Sequence, residues 1–229
     1  MTQSPRPLVR CASFACLSAL AACLAADAAT PPAASTAAPA LPTAAAPLSW
    51  SADTSKSTLE FNFVQAGAKT TGRFSKYTAN IDFSAADLAK SKFDVAIDVA
   101  SVDTRDKERD AQLLAPELFD AAKQPRATYV ATTFVAKGST FEGQGKLTLR
   151  GVTHDVPVSF TFVTATEAGM TVATLKGTAN LKRLQFGVGQ GEWKSTEWIS
   201  DDVQIAFNLR LAPRAAAAGK AAAPAAAAK

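Results

Sequence analysis

Val203-Gln204-Ile205-Ala206-Phe207-Asn208-Leu209-Arg210-Leu211 places an apolar residue at every second position for nine residues, with Gln204, Asn208 and Arg210 among the residues between. A period of two puts the two sets of side chains on opposite faces of a β-strand. The pattern recurs upstream. Leu59, Phe61 and Phe63 alternate with Thr58, Glu60 and Asn62, and Tyr77, Ala79, Ile81 and Phe83 form a second such run. Phe93, Val95, Ile97 and Val99 follow, with Asp94 and Asp98 between them. Further strands are expected at 127–135, 141–149, 156–163, 171–181 and 202–211, with turn signals such as Lys137-Gly138 and Ala168-Gly169 between them. Consecutive strands of this kind share their apolar faces, as a sandwich or as a closed barrel. About eight antiparallel strands make a barrel just wide enough to hold one small ligand. The expected fold is therefore all-β, an antiparallel barrel of about eight strands with short helices.

One stretch breaks the alternation. Ser101 to Gln124 is charged and then carries Leu113, Leu114, Leu118 and Phe119 at helical spacings, interrupted by Pro116. It reads as two short helices packed as a lid or plug, with Asp110 capping a helix and Arg109 tying it to the sheet. Ser84, with Asp87 at capping-box spacing, marks another helical turn. Pro157 near the start of its strand points to an edge or first-residue position.

The flanks differ in composition from the domain. Arg6 and Arg10 precede an apolar run from Cys11 to Ala22, the layout of a secretory signal peptide over residues 1–22. All three cysteines, Cys11, Cys16 and Cys23, lie in this region. Leu20-Ala21-Ala22-Cys23 resembles a bacterial lipobox, which makes Cys23 a candidate lipidation site. Small-residue cleavage sites near Ala26 and Ala28 are the alternative. Residues 23–47 are an Ala/Pro-rich linker, and 214–229 an Ala-rich basic tail, both expected to be poorly ordered. The barrel domain is assigned to 48–213.

Charge and reactive groups narrow the function. Of 24 Lys and Arg, five (Arg6, Arg10, Arg214, Lys220 and Lys229) lie outside the domain. Of 20 Asp and Glu, only Asp27 does, so the domain carries 19 charges of each sign. A balanced domain argues against nucleic acid as the partner, since phosphate recognition needs a clustered positive surplus. His154 is the single histidine, with no second imidazole or domain thiol to share a metal, and reads as an exposed loop residue. No catalytic residue, metal site or cofactor is expected.

The residue pattern resembles a known family. Asp103-Thr104, Arg109-Asp110, Leu113, Leu118-Phe119-Asp120 and Pro125 are similar to the central signature of the YceI family. So are Gly145-Lys146-Leu147-Thr148-Leu149-Arg150-Gly151-Val152-Thr153-His154-Asp155-Val156, Arg183 with Phe186-Gly187-Val188, and Asp201-Asp202-Val203. The resemblance implies an extended-lipocalin-like barrel, periplasmic or anchored to the outer membrane, whose pocket binds a polyisoprenoid or a quinone-like lipid. Gly187 to Trp193 resembles members found beside cytochrome b561-type membrane proteins. Where the family carries His-Ser before its first long strand this chain has Lys56-Ser57, and Gln65 stands where a histidine is common. Expected pocket walls are Phe61, Phe63, Phe93, Ile97, Phe160, Phe162, Ile205 and Phe207. Arg183 is expected either to meet a ligand head group or to pair with a carboxylate such as Asp201.

Overall fold

Strand follows strand in the computed structural model, which describes residues 48–214. The eleven strands are β1 (Leu48–Ala52), β2 (Thr58–Gln65), β3 (Ala68–Phe74), β4 (Tyr77–Phe83), β5 (Lys92–Asp98), β6 (Val102–Asp103), β7 (Arg126–Lys137), β8 (Thr140–Leu149), β9 (Val152–Glu167), β10 (Met170–Lys182) and β11 (Asp202–Pro213). One α-helix, α1 (Lys107–Leu113), interrupts them. The leader, Cys23, the linker before residue 48 and the tail beyond 214 lie outside the described residues.

Eight strands close a barrel in the order β1-β4-β5-β7-β8-β9-β10-β11, with β11 returning to β1. All of its pairings are antiparallel. Closure depends on β11 splitting its partners along its length. Leu211, Ala212 and Pro213 pair with Ala52, Ser51 and Trp50 of β1. Gln204 to Asn208 instead pair with Asn62 to Thr58 of β2. From there β2 pairs with β3 and β3 with β6, so a three-stranded flap extends one half of the barrel.

Tight turns set the registers. The β2–β3, β8–β9 and β9–β10 hairpins turn on Ala66-Gly67, Arg150-Gly151 and Ala168-Gly169, all six residues with φ between 50° and 79°. Two successive residues with positive φ make the hairpin turn whose twist matches that of the strands, and glycine at the second position tolerates it. Alternation then sorts side chains: along β4, Tyr77, Ala79, Ile81 and Phe83 are buried and the residues between them are not. Pro157 sits where the β9–β10 ladder ends, at Val158, so its missing N–H costs no bond to β10.

Three local expectations are corrected. The charged break holds one α-helix rather than two, because Pro116 follows three residues after its end and cannot sustain an i→i−4 bond. Asp106, not Asp110, caps that helix, accepting from the Glu108 and Arg109 amides at 3.1 Å. Arg109 pairs with Asp106 at 3.4 Å instead of tying the helix to the sheet, and Asp110 accepts from the Thr104 amide and hydroxyl at 2.8 and 2.7 Å. Near Ser84, the turn that forms is a 3-10 turn at Leu88–Lys90 with no side-chain cap.

Candidate functional site: an apolar cavity inside the barrel

Inward-facing residues divide the barrel lengthwise into a filled half and a hollow half. The filled half is a cluster of aromatic rings around Phe83, whose ring centroid lies 4.8 Å from Phe162, 5.0 Å from Phe141 and 5.4 Å from Phe160. Phe134 stacks obliquely on Phe93 at 4.7 Å, and Trp50 meets Phe162 edge-on at 5.8 Å. Tilted and edge-to-face pairs at such distances add to simple burial.

The hollow half encloses a cavity of about 190 Å³ with a wholly apolar exposed lining. It exceeds the roughly 150 Å³ apolar cavity that stays dry and takes up benzene in an engineered protein. Phe61, Phe63, Phe93, Ile97, Ile205 and Phe207 line it. Phe160 and Phe162 do not: both belong to the aromatic cluster that fills the opposite half. Residues that alternate identically in sequence differ here only in their depth along the barrel.

Glycines make room for the rings that shape the cavity. A Cβ on Gly177 would stand 2.3 Å from the Ser159 carbonyl oxygen and 2.6 Å from the Phe207 ring, and one on Gly145 would meet the Tyr129 ring at 2.4 Å. Gly72 faces Phe61 in the β2–β3 ladder in the same way. These seats carry a legible signal, a glycine inside a strand, which marks close approach of another group.

Leu113, at the end of α1, and Leu118 and Phe119, from the segment that follows it, line one side of the cavity as its roof. Backbone contacts hold this roof. The amides of Gly189 and Gln190 donate to the Glu117 carbonyl at 2.9 and 2.8 Å. Arg150 spans from the Gly187 carbonyl, at 2.6 Å, to the Pro116 carbonyl.

Arg183 is buried at the cavity's edge, and each of its five N–H groups donates to a backbone carbonyl. Nε donates to Ser200, Nη1 to Val188 and Trp193, and Nη2 to Ser195 and Ile199, at 2.8–3.1 Å. A guanidinium has five donors and no acceptor, so nothing is left for a ligand head group. Asp201 forms no ion pair with it and accepts instead from the Leu184 amide at 2.9 Å. Burial pulls the Arg183 pKa down from its ordinary value, and the nearby Asp201 carboxylate opposes that shift.

Two tyrosines that the sequence reading did not single out as walls also line the cavity, Tyr77 and Tyr129. The Tyr129 hydroxyl donates to the Val156 carbonyl at 3.1 Å, and burial pushes its phenol well above the usual value. His154 is exposed as expected, but it lies in β9 opposite Leu147 rather than in a loop. Its Nε2 is 3.0 Å from the Gln185 carbonyl and its ring is edge-on to Phe186 at 5.1 Å. Among the described residues no group of three or more His, Cys, Asp or Glu side chains is placed to hold a metal ion.

A closed antiparallel barrel, hollow in one half and roofed by a helical segment, has the architecture of the lipocalin-like barrels. Within that class the assignment is direct. The YceI-like domain model matches residues 50–211, and the chain belongs to that family. A UPF0312 protein of Vibrio cholerae serotype O1 is 32% identical over 120 residues, 51% of this chain and 64% of its own length. The matched segment thus spans a little under two-thirds of that relative. The crystal structure of BcnA from Burkholderia cenocepacia superposes with a TM-score of 0.65 at 35% identity, covering 69% of this chain and 98% of that one. A polyisoprenoid binding domain from Saccharophagus degradans shares the fold, with a TM-score of 0.56 at 18% identity over 73% of this chain and 99% of that one.

Proposed function

We propose that this protein binds a long apolar amphiphile, a polyisoprenoid or an isoprenoid quinone, inside the barrel, as a carrier or binding protein of the bacterial envelope. The observation that carries the reading is a roofed cavity whose exposed lining is wholly apolar in a domain large enough to have filled it. Family membership supports it, as does the polyisoprenoid binding domain that shares the architecture. Each Å² of prenyl chain buried contributes about 25 cal/mol before ordering costs.

The same proposal places the protein in the periplasm or at the outer membrane, with an acyl chain on Cys23 as its anchor. A lipid on Cys23 attaches the domain to a membrane without requiring it to span one. Extended at about 3.1 Å per residue, Ala25 to Pro47 would give roughly 70 Å of reach. A cytochrome b561-type membrane protein is the partner that the Gly187–Trp193 resemblance suggests.

The test is mass spectrometry of an organic extract of full-length protein purified without detergent. A co-purifying polyprenyl or quinone mass is expected. A native mass spectrum of apo protein alone, with no thermal shift from polyprenols or quinones, would overturn the carrier reading.

A further inference from the structure

The cavity stops at a matching step on strand after strand. On β4, Ile81 lines it and the next residue of the same buried set, Phe83, does not. On β9 the same holds for Val158 and Phe160. Leu175 and Leu209 are direct partners in the β10–β11 ladder and line the cavity, while the next pair of that set, Ala173 and Leu211, lies beyond it. Phe83, Phe160, Ala173 and Leu211 are all at most 3% exposed. Phe93 marks the boundary, because it lines the cavity and also packs against Phe134 at 4.7 Å and Phe160 at 5.1 Å. Close-packed rings leave no passage for a chain between them. The two ends of the cavity are also held differently. The residues of this floor sit on strands paired along both edges, so moving them means breaking ladders. Leu118 and Phe119 of the roof sit outside the sheet, on a segment held by the Glu117 and Pro116 carbonyls.

We infer that the aromatic floor is a chain-length stop: the barrel takes the hydrocarbon end of a prenyl lipid first, holds a fixed small number of isoprene units against Phe93, and leaves the head group and the rest of the chain outside. This rests on the carrier reading and sets which part of the ligand the barrel holds. Orientation follows from the lining. Its exposed surface is wholly apolar, so a polar head inside would lose its hydration with no partner to replace it. Capacity follows from the volume. The cavity of about 190 Å³ is somewhat larger than the roughly 150 Å³ that takes up six-carbon benzene, which gives room for about one or two five-carbon units before the roof moves. With the rings in place, a longer chain gains no further burial.

The experiment titrates full-length wild type, Val158→Phe and Phe93→Ala with prenyl alcohols of one, two, three, four and nine isoprene units, with the free alcohol measured in each titration. A simple alcohol suffices because the head stays outside. Wild-type affinity should tighten by roughly tenfold or more per unit while the added carbons are buried, then change by less than about threefold per unit beyond the second or third. Val158→Phe places a ring in the deep end and should bring the plateau one unit earlier. Phe93→Ala removes a six-carbon ring and should move it one unit later. Melting curves establish which variants are folded. Wild-type affinity that keeps climbing tenfold per unit through four units would show that the chain passes the rings, and would overturn the inference while leaving the carrier reading in place. A plateau at unchanged length in either folded variant would do the same, and the wild-type series decides alone if neither variant folds. If no alcohol of any length binds wild type, the carrier reading and this inference fall together.

Discussion

The ring of Phe61 occupies the space a side chain on Gly72 would fill: a Cβ there would lie 2.2 Å from the ring's nearest carbon. The two residues are direct partners in the β2–β3 ladder. Phe61 stacks beside Phe63 at 5.9 Å, leans on Phe74 at 5.2 Å, and meets Phe119 of the lid edge-on at 6.4 Å. Glycine at position 72 thus sets the position of a ring that touches both the cavity and its roof.

Gly72→Ala should therefore destabilise the domain by about 1–3 kcal/mol, the range for overpacking, through the displaced Phe61 ring. Urea denaturation measures the loss. A lipid titration should show weakened uptake in the same variant, since the ring cannot move without reshaping the cavity. An alanine tolerated within experimental error would mean that Phe61 has another place to go.

Phe160 and Phe207 are predicted to separate packing from lining. Phe160 is 2% exposed and buried among rings, so Phe160→Ala should cost roughly 3–5 kcal/mol. Phe207 borders existing empty space, so Phe207→Ala leaves less new void and should cost less, while altering ligand affinity. Denaturation with and without a bound lipid distinguishes them. Equal costs would remove the distinction between the two halves of the barrel.

Arg183→Met should be severe. It leaves five carbonyls without their shared donor, and a loss on the order of 3–5 kcal/mol is expected. Hydrogen exchange should quicken through residues 187–201. Arg183→Lys should recover little, because an ammonium has three donors on a single point and cannot reach five carbonyls. Full recovery by lysine would show that charge, and not the fork, holds the loop.

Acid should weaken the fold from its surface. The Ser55 hydroxyl and amide hold the Asp53 carboxyl below its ordinary value, and Lys90 does the same for Asp87. The Arg105 amide, aided by Arg73, lowers Asp103, and Arg210 lowers Glu167. A carboxylate depressed in the folded state contributes stability above its unfolded pKa, and that stability disappears as pH falls through the folded value. Urea midpoints should therefore be flat through neutral pH and decline below about pH 4. Lipid binding should be flat between about pH 5 and 9, because the exposed lining of the cavity is wholly apolar. A midpoint that rises on acidification would contradict the sign of these shifts.

Much of this architecture can be read from alternation, and the misses have physical reasons. Val203 to Leu211 declares its two faces because one is buried, and the β11 side chains follow that division. Alternation gives the face of a residue but not its depth along the barrel axis, so Phe160 and Phe162 look the same in sequence as Phe61 and Phe207. Closure through β1 is hard to see, since five residues carry almost no periodic signal. Arg183 posed two side-chain alternatives, and its actual partners are main-chain carbonyls, which have no residue-specific signature. Asp110 follows a helix-capping pattern in sequence, whereas the geometry gives the cap to Asp106 and uses Asp110 to hold Thr104.

The Arg183 clamp has a consequence for how the protein can change over time. The guanidinium holds its loop through groups common to every amino acid, the main-chain carbonyls of Trp193, Ser195 and Ile199 among them. Gly189 is the exception, because a Cβ there would press to 1.9 Å from the Arg183 guanidinium. A substitution at an exposed position of this loop, such as Trp198 at 70% exposure, can alter what the loop presents without touching these bonds. A single buried cation thereby makes the surface beside the cavity open to new partners while the container behind it stays the same.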